Sequence, residues 1–268
     1  MNDVEIKLSL YEKAYNIGAL RKALLLLLMI LLWQGYSRFL DNELMFPAFS
    51  SVIKGLVQVV KSGELISRTL VSMRVITLAY LGGVIAAGLL AVFAITTRLG
   101  TDLLEIVIAM FNPLPAIALL PLALLWFGLG TPSIIFVIVH AVTWPVALNI
   151  HTGFMSVSST LRMVGKNYEL EGFPFVFKIL IPGAFSHILT GLKVGWAFSW
   201  RTLIAAELVF GVSSGSGGLG WFIYENKNQL NTYLVFAGLL MVIVIGIMVE
   251  SVFKYIEKRT VVKWGMKF

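Results

Sequence analysis

The sequence predicts an all-α, polytopic membrane protein with six transmembrane helices, and three observations carry that prediction. Hydrophobic residues make up 58% of the 268-residue chain and charged residues only 13%, far from the shares of a soluble domain. The apolar residues gather into runs able to cross a hydrocarbon core about 30 Å thick at roughly 1.5 Å per helical residue. Lys and Arg mostly flank those runs, so the net charge of +7 reads as membrane-flanking charge. A nucleic-acid reader would gather its basic residues on one solvated face, and no nucleic-acid partner is expected.

The first span runs from about Ala23 through LLLLLMILLW to Phe39, preceded by Arg21 and Lys22. Its leader is too long for a signal peptide and no small-residue cleavage site follows, so an uncleaved helix is expected. Residues 50–61, SSVIKGLVQVVK, have helical spacing after Pro47 and read as a short helix lying on the outer surface. The second span lies between Arg74 and Arg98, with no charge between them. Within it GGVIAAG (82–88) suits close helix packing.

From Glu105 to Arg162 no acidic or basic side chain intervenes. That length allows a third and a fourth span joined by the turn-rich FGLGTPS (127–133). The third carries Pro113, Pro115 and Pro121, each of which removes a backbone donor and strains a helix. Broken backbone at membrane depth persists only where it is buried in protein or lines a watery cavity. The prolines therefore mark either a packing kink or a place where freed carbonyls and Asn112 face a permeation path. A fifth span runs from about Ile188 to Phe210, with Lys193 near its start and Arg201 and Glu207 inside. The sixth, YLVFAGLLMVIVIGIMVE, ends near Phe253.

Positive loops stay on the cytoplasmic side. An inward N-terminus puts Lys7, Lys13, Arg21, Lys22, Arg98, Arg162, Lys166, Lys178, Lys254, Lys258, Arg259, Lys263 and Lys267 there. Arg38, Lys54, Lys61, Arg68 and Lys227 remain opposite. The expectation is one membrane domain over 1–268, with a cytoplasmic N-terminal segment (1–22), a cytoplasmic loop (156–186) and a cytoplasmic tail (254–268). No internal repeat is visible, so the inverted-repeat signature of many secondary transporters is not supported.

Cysteine is absent, which excludes thiol nucleophiles, disulfides and Cys-based zinc sites. GSGGLG (215–220) matches a dinucleotide-binding pattern but lacks the strand and helix of a βαβ unit, and G-x-x-x-x-G-K-[ST] is missing. Any ATP must be bound by another chain. His140, His151 and His187 lack metal-ligand spacing, and no metal or catalytic residue is assigned. An ionisable group facing lipid costs a few kcal/mol or more, so Arg201 and Glu207 should face inward. Six residues apart, they do not pair along one helix. They are read either as partners of neighbouring helices or as part of an anion pathway, with Trp200 as a wall beside Arg201.

The stretch NYELEGFPFVFKILIPGA (167–184) is the most polar between two apolar halves. It reads as a short helix with Tyr168, Leu170, Phe173 and Phe175 as apolar anchors bordered by charge, a shape suited to a groove. With NPLPAIALLPLALLWFGLG (112–130), ILIPGAFSHILTGLKVGWAFSW (179–200), LIAAELVFG (203–211) and GGLGWFIYENKNQL (217–230), it resembles the membrane subunits of ABC importers of the nitrate, sulfonate, taurine and bicarbonate class. The resemblance implies a type I, MetI-like permease in the bacterial cytoplasmic (inner) membrane. Its partners would be a second copy of itself, a cytoplasmic ABC ATPase dimer and an extracytoplasmic solute-binding protein. It implies no cofactor in this chain, ATP and magnesium being held by the partner ATPase.

In that family an E-A-A-x3-G segment and an I-x-L-P stretch form the ATPase-docking loop. Here ILIP (179–182) ends in Pro182. Met163, Val164 and Gly165 fall at the E-A-A positions, and Glu169 falls where the glycine is usual. The docking residues implied are Tyr168, Glu169, Leu170, Glu171, Gly172, Phe173, Pro174 and Pro182; the pathway residues are Asn112, Trp200, Arg201 and Glu207. The competing reading is a stand-alone, ion-coupled secondary transporter or channel. An intramembrane enzyme would have no catalytic group beyond Glu207.

Overall fold

Three long apolar helices meet along stripes of small residues, and the remaining elements are arranged around them. The computed structural model describes residues 16–210, 217–263 and Gly265, and all of its described regular elements are helical. Lys7, Lys13, Lys267 and the Gly215–Ser216 start of the GSGGLG stretch lie outside the described residues.

Helix α1 (Gly18–Leu40) begins before Ala23, so part of the 1–22 segment is already helical. Its leucines face outward, with Ser37 its one buried residue. A helix so apolar and so little buried suits lipid. Where it does touch protein, the Trp33 indole donates to the Pro47 carbonyl at 3.0 Å and packs on Phe46, Phe49 and Phe236. Helix α2 (Phe49–Lys61) is the short helix expected after Pro47, and it buries Val52, Gly55 and Val59 on one face. A Cβ at Gly55 would lie 2.6 Å from the Tyr233 ring, so glycine lets α2 lie close on the last helix.

Helix α3 (Glu64–Thr96) has 33 residues and is about 50 Å long. Ser72, Ile76, Ala79, Gly83, Ala87 and Ala91 form its buried stripe at spacings of three and four. A Cβ on Gly83 would come 2.7 Å from Val142, so GGVIAAG is packing sequence, as its small residues suggest. Helix α6 (Thr131–Ser156) lies between α3 and α9 (Phe185–Phe210) and packs extensively on both. At the α6–α9 crossing, Gly191 faces Asn149 and Gly153 faces His187.

Two expected spans are bent pairs. The third divides into α4 (Arg98–Phe111) and a segment Ala116–Phe127 that ends in α5 (Leu120–Phe127), bent by 87°. The break is sharper than a proline kink, because Pro113 and Pro115 together leave residues 112–115 outside any helix. The fifth span, α9, starts at Phe185 rather than Ile188 and meets Gly172–Gly183 at 79°. Among the described residues α1, α3, α6 and the last helix, α11 (Thr232–Val262), make four helices long and apolar enough to cross a membrane, or up to six counting each bent pair as one span. Helix α11 stays helical to Val262, so the first part of the 254–268 tail continues the last span.

Candidate functional site

At one end of the bundle α7 (Ser159–Asn167) and α8 (Gly172–Gly183) form a helical hairpin. The Ser158 hydroxyl caps α7 by accepting from Leu161 N–H. Arg162 donates to the Phe154 and Val157 carbonyls at the end of α6, where cationic donors satisfy orphan carbonyls and the helix dipole. The far end of α7 closes with paired bonds from Glu169 N–H to Lys166 O (2.9 Å) and from Leu170 N–H to Gly165 O (3.0 Å). This is a Schellman turn, with Glu169 at the left-handed position normally taken by glycine. Glu169 has φ 54°. The glycine usual in the resembling family thus has a backbone reason, and this chain puts a glutamate under the same constraint.

Gly165, at the last E-A-A position, is buried against Phe175 and Ile179; a Cβ there would lie 2.7 Å from the Phe175 ring. A small residue is required where the two helices touch. Gly172, at φ 56°, starts α8, and Pro174 sits in its first turn, where a missing N–H is harmless. Tyr168 and Phe173 are 76% and 66% exposed, large for apolar rings. Glu169, Glu171, Gly172, Pro174 and Pro182 are exposed and Leu170 is partly buried. The sequence-predicted docking residues therefore share one projecting hairpin, although Phe173 also borders an apolar cavity against α3 with Phe177.

At the opposite end of α3, Glu207 is only 5% exposed. The Ser72 hydroxyl lies 2.7 and 2.9 Å from its two carboxylate oxygens and donates to them. Gly220 N–H donates to Oε2 at 2.7 Å, and Ser72 Oγ accepts from Leu219 N–H at 2.8 Å. One turn before Ser72, Arg68 pairs with Glu225 at 3.2 Å and donates to the Gly217 carbonyl. Glu207 thus fastens α3 and α9 to α10 (Leu219–Asn228), a packed junction rather than a cavity wall. Two of the described glycines of GSGGLG have the same cause: a Cβ at Gly218 would strike the Glu207 carboxylate, and one at Gly220 would lie 2.6 Å from its Cβ, whereas one at Gly217 would meet the Trp221 side chain.

The other three pathway candidates line two cavities beside α9. Trp200, 7% exposed, and Arg201 border one of about 370 Å3 between α9 and α11. Lys193 and Glu250 bridge its wall at 2.7 Å. Arg201 is exposed, makes no ion pair among the described residues, and holds its guanidinium 5.6 Å above the Phe198 ring. Asn112 lines a separate cavity of about 180 Å3 at the break in the third span, and Phe198 lies in its wall. Sequence reasoning missed His140, Trp144 and Thr202 in that cavity. The usable signal was the i, i+4 placement of His140 and Trp144 on α6, which aligns them on one face.

A bundle with two broken spans, a polar cavity at one break and an exposed hairpin at the other has the build of a transport permease. The chain belongs to the family of binding-protein-dependent transport system inner membrane components, which matches residues 79–262. It is 28% identical over 236 residues to a Methanocaldococcus jannaschii protein provisionally named as an ABC transporter permease, covering 87% of each chain. It is 31% identical to the taurine transport system permease protein of Escherichia coli, over 59% of this chain and 56% of that one. It is 30% identical to the nitrate import permease protein of Synechocystis, over 60% and 57%. The latter two matches span little more than half of those relatives. The chain is the multi-pass permease component of an ABC importer.

Proposed function

We propose that the chain forms the alternating-access pathway for a small anion, in a complex of two copies with a pair of cytoplasmic ABC ATPases and an external binding protein. Arg201 carries the reading. A guanidinium exposed on an apolar span would cost a few kcal/mol or more against lipid, so that face of α9 belongs against water or a second copy. Its positive charge, without an ion pair among the described residues, favours an anion, in line with relatives named for taurine and nitrate import. Others are named for aliphatic sulfonates and bicarbonate.

The α7–α8 hairpin, bearing Tyr168, Glu171 and Phe173, is the ATPase-docking knob on the cytoplasmic side, with both termini on that side as well. Its connection to α9 at a 79° bend lets it act as a lever when the ATPases close. ATP and magnesium belong to those partners. Reconstitution in vesicles provides the test: uptake of taurine, nitrate or bicarbonate should require ATP, the ATPase and the binding protein. Uptake by this chain alone would identify a secondary transporter and reject the proposal. Glu171→Lys with Phe173→Asp should abolish copurification of the ATPase; an intact complex with normal uptake would remove the docking role.

A further inference from the structure

Both ring nitrogens of His140 and the indole nitrogen of Trp144 are buried without a hydrogen-bond partner among the described residues. Each orphaned polar group of this kind costs about 1–3 kcal/mol unless a partner arrives. Both residues line the cavity at the break in the third span, with Asn112 and Thr202. Phe111 stacks on Trp144 at 5.1 Å and meets His140 edge-on at 6.0 Å, fixing both rings. The cavity lies against the middle of α6, and its other wall is the non-helical backbone at 112–115. Such backbone survives at membrane depth beside protein or water.

Among the described residues no carboxylate lines this space. An indole donates only, and an asparagine amide, a threonine hydroxyl and an imidazole can each donate. Arg201, over the Phe198 ring in the cavity wall, adds positive potential from outside the lining. We infer that His140, Trp144, Asn112 and Thr202 form a binding subsite for a small oxyanion, entered through the broken third span. The inference rests on the proposed anion pathway and deepens it by placing His140, Trp144 and Thr202 beside Asn112.

The absence of cysteine from the chain makes the test direct. Thr202→Cys, close in size to the parent, is introduced into the complete complex in vesicles and labelled with a small water-soluble thiosulfonate. Nitrate, bicarbonate or taurine is the probe, and chloride the control. Labelling should proceed without the probes and slow about tenfold when one of them is present at roughly ten times its dissociation constant. Adding Trp144→Phe, which keeps the ring and removes the N–H, should leave labelling intact and raise the probe concentration needed for protection about tenfold. Labelling that none of the three anions slows, or no labelling at all, overturns the subsite; Asn112→Cys serves as the second reporter if the first complex does not assemble. ATP-driven uptake by the unmodified complex is measured in parallel. A transporting parent without protection rejects the subsite alone, whereas protection without ATP-dependent uptake rejects the importer mechanism alone.

Discussion

Glu207 and Arg201 lie on the same helix, carry opposite charges, and have opposite surroundings. The carboxylate is enclosed and accepts from the Ser72 hydroxyl and the Gly220 N–H. The guanidinium is exposed, makes no ion pair among the described residues, and lies over the Phe198 ring. A charge inside an apolar span is therefore not by itself a sign of a pathway. The satisfied one holds helices together, and the unsatisfied one calls for water, solute or a second chain.

The strongest way to break this contrast is Glu207→Ala. It strands a buried hydroxyl and a buried N–H, and should cost about 3 kcal/mol or more. A thermal scan of the detergent-purified protein would read the loss; melting like the parent would mean that the junction fastens nothing. Gly220→Ala probes the same junction by crowding, and about 1–3 kcal/mol is expected for overpacking at this contact. Arg201→Ala should do the reverse, leaving melting within about 0.5 kcal/mol of the parent while anion uptake falls about tenfold. Unchanged flux, or a collapse of stability to match Glu207→Ala, would erase the distinction between the two charges. The smallest effect belongs to the hairpin: Glu169→Gly should stabilise it by up to about 1 kcal/mol through relief of the left-handed backbone. Glu169→Val should destabilise it, and equal melting of the two variants would remove the backbone explanation.

The spans were legible because hydrophobic length is a one-dimensional property. The run from Ala23 to Phe39 and the last apolar run became helices near the expected bounds, whereas the uncharged stretch from Arg74 to Arg98 is the later part of a longer helix that starts at Glu64. The prolines marked the break in the third span but not its 87° angle, which depends on the neighbours that α4 and α5 meet. Glu169 looked like a departure from the family's docking pattern until the Schellman turn supplied the reason for the usual glycine. His140 and Trp144 were legible only as an i, i+4 pair on one face of α6, because an aromatic or histidine in an apolar helix has the same local sequence whether it packs in a core or borders a cavity. Gly218 and Gly220 of GSGGLG pack at the Glu207 junction, which Ser72 closes from 135 residues away, a contact that leaves no local trace.

By itself, then, the sequence determined that this chain lives in a membrane as a helical bundle, which stretches of it are apolar spans, and where a polar hairpin interrupts them. Hydropathy and backbone breakers act within a few turns of the chain, so those features are written locally. Only the tertiary structure decided which intramembrane charge is fastened and which is open, and which polar atoms share a cavity. Those outcomes depend on contacts between α3, α6, α9 and α10, whose side chains meet only when small residues allow the helices to close on one another.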